Sequence, residues 1–349
     1  MTGILKHLPA EWDKHQATLL SFPHECRDWP GKFQAVKWAF VDFIRKITYY
    51  EPVILIVQSK EHQLSAENML RRAHVDLNKL TIIIKDTDRS WMRDSGPVIV
   101  KSDKGEREAL HFSFNGWAKY DNYLKDIKVP ETIASHIDIP LLPVHHNNRH
   151  VVLEGGAIDS NGKGTLITTE ECLLDQVTQV RNQGFSKSDY ESIFREYLGI
   201  RNVVWLGQGI EGDDTHGHVD DICRFVNRDT VVAARETNRK DSNHIKLEEN
   251  LERLQDARTA HDDRINVVTI PMPGRIDFEG LRLPASYINF IFLNGAVLVP
   301  LFNDKKDYLA LGIFNELFPD RDVIGINAVD MVWGLGTLHC LSREIPAAE

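Results

Sequence analysis

Apolar positions along the chain follow two periodicities. Residues 17–22 (ATLLSF) are an apolar run closed by Pro23 and read as a buried strand. After the breaker pair Pro30-Gly31, residues Phe33, Val36, Phe40, Phe43, Ile44 and Ile47 recur at helical spacing, which predicts an amphipathic helix over residues 32–50. Residues 53–57 follow as a strand, 65–73 as a helix and 80–84 as another strand, an α/β alternation. Beyond that point, pairs of β-rich runs flank polar turns. They are 97–100 with 109–114, 151–158 with 165–168, 222–226 with 230–234, and 287–293 with 297–302. The Asn, Asp and Gly residues between them are hairpin signals. Helical spacing returns between the hairpins, at 189–198, 245–258 and 308–318. The hairpins recur every roughly 55–70 residues, a period that points to repeated units of a strand pair plus a helix arranged around an axis. No linker rich in Pro, Gly or Ser divides the chain, so residues 1–349 read as a single domain.

Composition narrows the function classes. At 349 residues and 42% hydrophobic, the chain can bury a large core. No stretch reaches the ~18 apolar residues of a membrane span. The N-terminal MTGILKHLPAEWDKHQ lacks a signal-peptide run, so the cytoplasm is the expected location. Cys26, Cys172, Cys223 and Cys340 are widely spaced with no CxxC pair, which argues against a disulfide framework or a structural zinc site. A net charge of -10 disfavours nucleic acid as a partner and creates a field that attracts small cations.

The most unusual stretch is GDDTHGHVDD at residues 212–221, with four aspartates, two histidines and one apolar side chain. If the chain from His216 onward is a strand, then His216, His218 and Asp220 project to one side. Three readings fit: a solvated acidic turn, a metal site, or a general acid/base histidine beside a carboxylate that binds a cation. Three further clusters sit at hairpin edges: WMRDSGP with Asp94, VVLEGG with Glu154, and WGLGTLHCLS with Cys340 beside His339. Singly they suit a structural turn, a buried hydrogen bond and a small core residue. Together, Asp94, Glu154, His218, Asp220 and Cys340 suggest other chemistry. A hard-metal site has no need of the cysteine, a zinc site more usually shows a tight ligand pair, and a cysteine protease does not need several carboxylates. The set suits a planar, nitrogen-rich cation, because a guanidinium presents parallel N–H donors that match carboxylate oxygens.

With FNGW at residues 114–117 and SYINF at 286–290, these motifs resemble the agmatine deiminases and bacterial-type peptidylarginine deiminases of the guanidino-group modifying superfamily. The resemblance runs from about Glu11 to Ser342. It implies a five-bladed α/β propeller with pseudo-fivefold symmetry, the N-terminal strand closing the ring against the C-terminal segment. It also implies Cys340 as nucleophile, His218 as general acid/base, Asp94 and Asp220 on the guanidinium nitrogens, and Glu154 supporting the cation or His218. Trp91, Asn115 and Trp117 would line the pocket, and no role transfers to His216. The activity implied is hydrolysis of agmatine to N-carbamoylputrescine and ammonia through an amidino-thioether, with no metal or organic cofactor. A homo-oligomer is the family-level expectation. Free arginine or peptidyl-arginine is the runner-up substrate, disfavoured by the missing export signal and accessory domain. An amidinotransferase, a metal hydrolase centred on His216 and His218, and a non-catalytic polyamine binder are the other readings. GLGTLHCLSRE stands where agmatine deiminases tend to show a glycine run, and FNGWAKY also departs from their pattern, which leaves the reaction type but questions the substrate tail.

Overall fold

Five sheets repeat one construction in the computed structural model, which describes residues 6–348. In each, a strand pairs antiparallel with the next, and that second strand continues through a helix into a parallel third. The clearest copies are Cys223–Phe225, Thr230–Arg235 and Asn266–Pro271 around helix Asn243–Gln255, and Ile291–Leu293, Ala296–Leu301 and Asp322–Asn327 around helix Asp307–Leu317. Asp159–Ser160, Thr165–Thr169 and Asn202–Leu206 form another, with Lys187–Leu198 as the helix. Val98–Ser102, Arg107–His111 and Leu141–Pro143 form the next, with Val129–His136. The last joins the two ends of the chain. His15–Ser21 runs parallel to Val53–Val57, which pairs with Leu80–Ile84, and its antiparallel neighbour is the C-terminal strand Ser342–Pro346.

Local chemistry accounts for these elements. All five residues of Val53–Val57 are buried, as an apolar β-branched run in a central strand should be. Helix Phe33–Thr48 covers that sheet with Val36, Phe40, Phe43, Ile44 and Ile47, the stripe its spacing predicts. Each such side chain contributes ~1.5–3 kcal/mol on burial. Helix Lys187–Leu198 begins in a capping box between Ser186 and Asp189 and stops at Gly199, whose φ of 69° suits the left-handed cap. No helix among the described residues is long and apolar enough to cross a membrane.

The structure departs from the sequence reading at several points. The parallel third strands Asn202–Leu206, Asn266–Pro271 and Asp322–Asn327 were not anticipated, because they lie at sheet edges, begin on Asn or Asp and are only partly buried. Helix Val129–His136 is short and starts with a proline in its first turn, so its period is weak. Residues 151–158 are not a strand; they make one bridge, Val152 to Ser113, before a 3-10 turn at Gly155–Ala157. Residues 216–221 are not a strand either. His216 has φ 64° and Val219–Asp221 is a 3-10 turn, so alternation does not govern which side chains share a face. Leu338–Leu341 is one helical turn.

Candidate active site

Each sheet contributes one polar turn at the same place, immediately before the first strand of its antiparallel pair. Asp94 lies on the helical turn Met92–Ser95 ahead of Val98–Ser102, and Glu154 caps the 3-10 turn Gly155–Ala157 ahead of Asp159–Ser160. His218 and Asp220 belong to the turn ahead of Cys223–Phe225, and Asn289 lies just before Ile291–Leu293. Cys340 lies in the turn ahead of Ser342–Pro346. These turns meet. A Cβ placed on Gly156 would stand 2.5 Å from His218 Nδ1 and 3.1 Å from both Asp94 Oδ1 and Asp220 Oδ2, so three functional side chains converge on a point that only glycine leaves free.

Cys340 Sγ lies 3.6 Å from Asp220 Oδ2 and accepts a hydrogen bond from Asn289 Nδ2 at 3.1 Å. Asp94 accepts from the Gly156 backbone N–H at 3.0 Å and from Trp117 Nε1 at 2.9 Å, and its Oδ1 lies 3.9 Å from His218 Nδ1. Glu154 Oε1 accepts from Arg181 Nε at 2.9 Å. These side chains are buried, yet Glu154 Oε2, Asp220 Oδ1 and both ring nitrogens of His218 have no hydrogen-bond partner among the described residues. Unsatisfied buried atoms are costly, so four in one place mark a site prepared for another molecule.

The electrostatics point the same way. Burial raises the Asp94 carboxyl, helped by Asp220 and Glu154 and opposed by His218. Burial also works to raise Asp220, but the hydrogen bond and charge of His339, with His218 and Arg224, hold it below its ordinary value. For His218, burial opposes the charge, and Asp94, Cys172 and Asp220 outweigh it to push the ring well above its ordinary pKa. Burial, then the carboxylates of Asp220, Asp221 and Asp94, push the Cys340 thiol well up. The surrounding carboxylates therefore favour the proton on both the His218 ring and the Cys340 sulfur.

Cys340 lines a cavity of about 220 Å³ together with Asp94, Trp91 and Trp117, and with Asp28, Arg89, Tyr120, Asp121, Asp214 and Leu335. Trp91 Nε1 donates to Asp28, and Arg89 pairs with Asp28 at 2.8 Å while stacking on Tyr120. The structure thus gathers Asp94, Glu154, His218, Asp220 and Cys340, and puts Trp91 and Trp117 on the cavity wall. Asn115 is different: it is not among the lining residues, and its Oδ1 accepts from Ala118 N–H, capping the turn that carries Trp117 through three left-handed residues. His216 faces elsewhere, 2.6 Å from Asp175, in a groove with Glu170, Glu171 and Glu249. A metal site built on the His216–His218 pair therefore has no geometric basis. A mixed donor set does occur at Glu154, Cys172 and His218, whose ligand atoms lie within 4.8 Å of one another, but the Arg181 guanidinium already occupies one side of Glu154.

Sequence reasoning passed over Asp221, Asn289 and Arg181. Asn289 carried a readable signal: it is the one polar residue in the run YINFIFL, much as Glu154 interrupts VVLEGG. A sequence profile described as Porphyromonas-type peptidyl-arginine deiminase matches residues 7–346. The chain belongs to that family. An agmatine deiminase of Ectopseudomonas mendocina is 31% identical over 366 residues, covering 98% of this chain and 96% of its own. The agmatine deiminase of Enterococcus faecalis shares the fold with a TM-score of 0.90 at 26% identity, over 100% of this chain and 99% of that one. The C. jejuni agmatine deiminase with substrate bound gives 0.89 at 26% identity, over 100% and 98%.

Proposed function

We propose that this family member hydrolyses the guanidinium group of agmatine to N-carbamoylputrescine and ammonia through a covalent intermediate on Cys340. The observation that carries this reading is the convergence of Asp94, His218 and Asp220 beside Gly156, with Cys340 Sγ 3.6 Å from Asp220 and buried acceptor atoms left open. Two ionised carboxylates with free lone pairs take the parallel N–H donors of a guanidinium and fix its plane. The relatives named agmatine deiminase support the same substrate.

The steps follow from the electrostatics. A guanidinium neutralises the carboxylates that hold the Cys340 proton on, so substrate binding favours the thiolate, and the thiol proton passes to solvent, where it later protonates the released ammonia. Sγ bonds to the guanidinium carbon, giving a neutral tetrahedral adduct held by Asp94 and Asp220. His218, already protonated, gives its proton to one NH₂, the C–N bond breaks, and ammonia leaves an amidino-thioether cation. Neutral His218 then takes a proton from water as the oxygen adds to the same carbon. The C–S bond breaks, the hydroxyl proton returns to sulfur, and the ureido product departs.

The charges lining the cavity favour an amine at the far end of the substrate. Arg89 is engaged by Asp28 and Asn122, Arg27 by Glu25, and Asp214 by Lys119, which leaves the Asp121 carboxylate without an ion-pair partner among the described residues. An ammonium has Asp121 to meet; the α-carboxylate of arginine meets no unengaged guanidinium. We also infer that the five sheets stand around a pseudo-fivefold axis as a propeller with the site at its centre, a reading supported by their shared order and by the five convergent turns. Ureido-product formation with agmatine, free arginine and a blocked arginyl peptide tests the function. Turnover of agmatine alone, lost in Cys340→Ala and indifferent to a chelator, is the expected result; peptide turnover would move the function to protein modification.

A further inference from the structure

The fold brings a second cysteine, Cys172, to the candidate site, and the hydrolysis above gives it no task. Cys172 lies on the short helix Glu170–Leu174, whose cap is tied to the turn that carries His218. Thr169 Oγ1 accepts from Cys172 N at 3.1 Å and donates to the Gly217 carbonyl at 2.5 Å. Glu171 packs on the same turn, where a Cβ added to Gly217 would stand 2.8 Å from Glu171 Oε2. The result is a trio: Cys172 Sγ, one ring nitrogen of His218 and one oxygen of Glu154 lie within 4.8 Å of one another. All three side chains are buried. Glu154 Oε2 and both His218 nitrogens have no hydrogen-bond partner among the described residues, and Arg181 holds Glu154 through Oε1, which leaves Oε2 open.

The kinds of atom decide what suits this space. A hard cation such as Mg²⁺ or Ca²⁺ takes oxygen ligands and has no use for sulfur. A second guanidinium would find the carboxylate but gain nothing from the thiol. Thiolate, imidazole and carboxylate together are the ligands of zinc-class ions, and three protein ligands leave a fourth position to water. Tetrahedral zinc holds such atoms at about 2.0–2.3 Å, hence roughly 3.3–3.7 Å apart, so the trio has to close by about 1 Å at most. Two anionic ligands balance the dication, and the Asp94 carboxylate, 3.9 Å from His218 Nδ1, offsets the Arg181 charge. Coordination releases the thiol proton and the imidazole proton to solvent.

We propose that Glu154, Cys172 and His218 form a binding site for a thiophilic divalent cation of the zinc class, and that filling it stops the reaction by taking the His218 lone pair. The site does not include the nucleophile, which belongs to a separate donor set with Asp220 and Asp221. The inhibitory half of the proposal rests on His218 being the acid/base of the reading above; the binding half does not.

The test uses Cys340→Ala, in which the nucleophile cannot hold metal, and Co²⁺ as a spectroscopic stand-in for Zn²⁺. A single cobalt per chain with a thiolate-to-metal charge-transfer band is the expected result. Adding Cys172→Ser should abolish the band. Adding His218→Ala instead should weaken cobalt binding by ~100-fold, since losing even a side chain that only braces a ligand costs ~10–100-fold in metal affinity, and this second variant guards against a folding defect in the first. In the parent, Zn²⁺ should inhibit agmatine hydrolysis and a chelator should reverse it; in Cys172→Ser, read against its own metal-free rate, half-inhibition should need ~100-fold more zinc. No charge-transfer band in Cys340→Ala, or one that survives Cys172→Ser and so comes from exposed Cys26 or from Cys223, would overturn the proposal. Equal zinc sensitivity of the parent and Cys172→Ser would overturn its inhibitory half. A parent inactive toward agmatine that still gives the Cys172-dependent band would remove the proposed function, and the inhibition with it, while the metal site stood.

Discussion

Two clusters of buried charge lie against each other in this protein, and they are built on opposite plans. In the first, Glu11 receives Arg93 at 2.9 Å, Arg224, and His339 at 2.8 Å; Arg93 also meets Glu344 at 2.7 Å, and Arg224 meets Asp159 at 3.1 Å. Each charge there has a partner of opposite sign. In the second, Asp94, Glu154, Asp220 and Asp221 outnumber the cationic groups among them, and acceptor atoms are left open. His339 joins the two, its Nδ1 on Asp220 and its Nε2 on Glu11. The closed cluster ties the N-terminal segment, the turn at residues 92–95 and the C-terminal strand into a frame. The open one, carried by that frame, keeps buried acceptor atoms without protein donors. Such a charge excess costs stability and is relieved by a bound guanidinium.

One kind of substitution, carboxylate to amide, should therefore have opposite consequences in the two clusters. Asp94→Asn is expected to lower kcat/KM by about 10²- to 10³-fold, the scale for removing one electrostatic partner of a transition state. It should leave the thermal midpoint unchanged or raised, because the carboxylate removed is one that burial already disfavours. The sign with pH follows. Asp94 must be ionised to take a cation, so in the parent kcat/KM falls as pH drops through its raised value, and in Asp94→Asn that acid limb moves to lower pH.

Glu11→Gln should do the reverse in stability. Removing it takes one carboxylate partner from each of Arg93, Arg224 and His339, which keep Glu344, Asp159 and Asp220, a loss on the order of 3 kcal/mol in urea unfolding. Burial would raise the Glu11 carboxyl, but Arg224, Arg93 and His339 hold it well below its ordinary value. Its contribution is thus fully present above the ordinary glutamate range and is lost as pH falls toward the depressed value. The difference in stability between parent and Glu11→Gln should accordingly shrink in strong acid. Equal destabilisation by Asp94→Asn and Glu11→Gln would dissolve the distinction between the clusters.

The sequence made the frame legible wherever one periodicity dominated. Phe33 to Ile47 could only be a stripe of one helix, and Val53–Val57 could only be a buried strand. The third strand of each sheet was hidden because an edge strand needs neither full burial nor β-branched continuity; Asn202–Leu206 shows the mixture. For the site, Asp94, Glu154, His218, Asp220 and Cys340 stood out as polar residues in settings that did not call for them. Their convergence was not visible, because it depends on five turns that are distant in sequence. His216 and Asn115 mislead for a local reason: one left-handed residue turns His216 to Asp175, and a cap uses the side chain of Asn115 on its own backbone. Asn289 interrupts an apolar run, but the groups it joins, Thr337, His339 and Asp221, are distant in sequence.

The most direct measurement is the intact mass of the protein acid-quenched during turnover of agmatine, with the modified peptide identified. The account predicts a transient gain equal to the substrate less ammonia, on Cys340 and absent from Cys340→Ala. Turnover with no adduct on Cys340 at any quench time, together with an active Cys340→Ala, would contradict it.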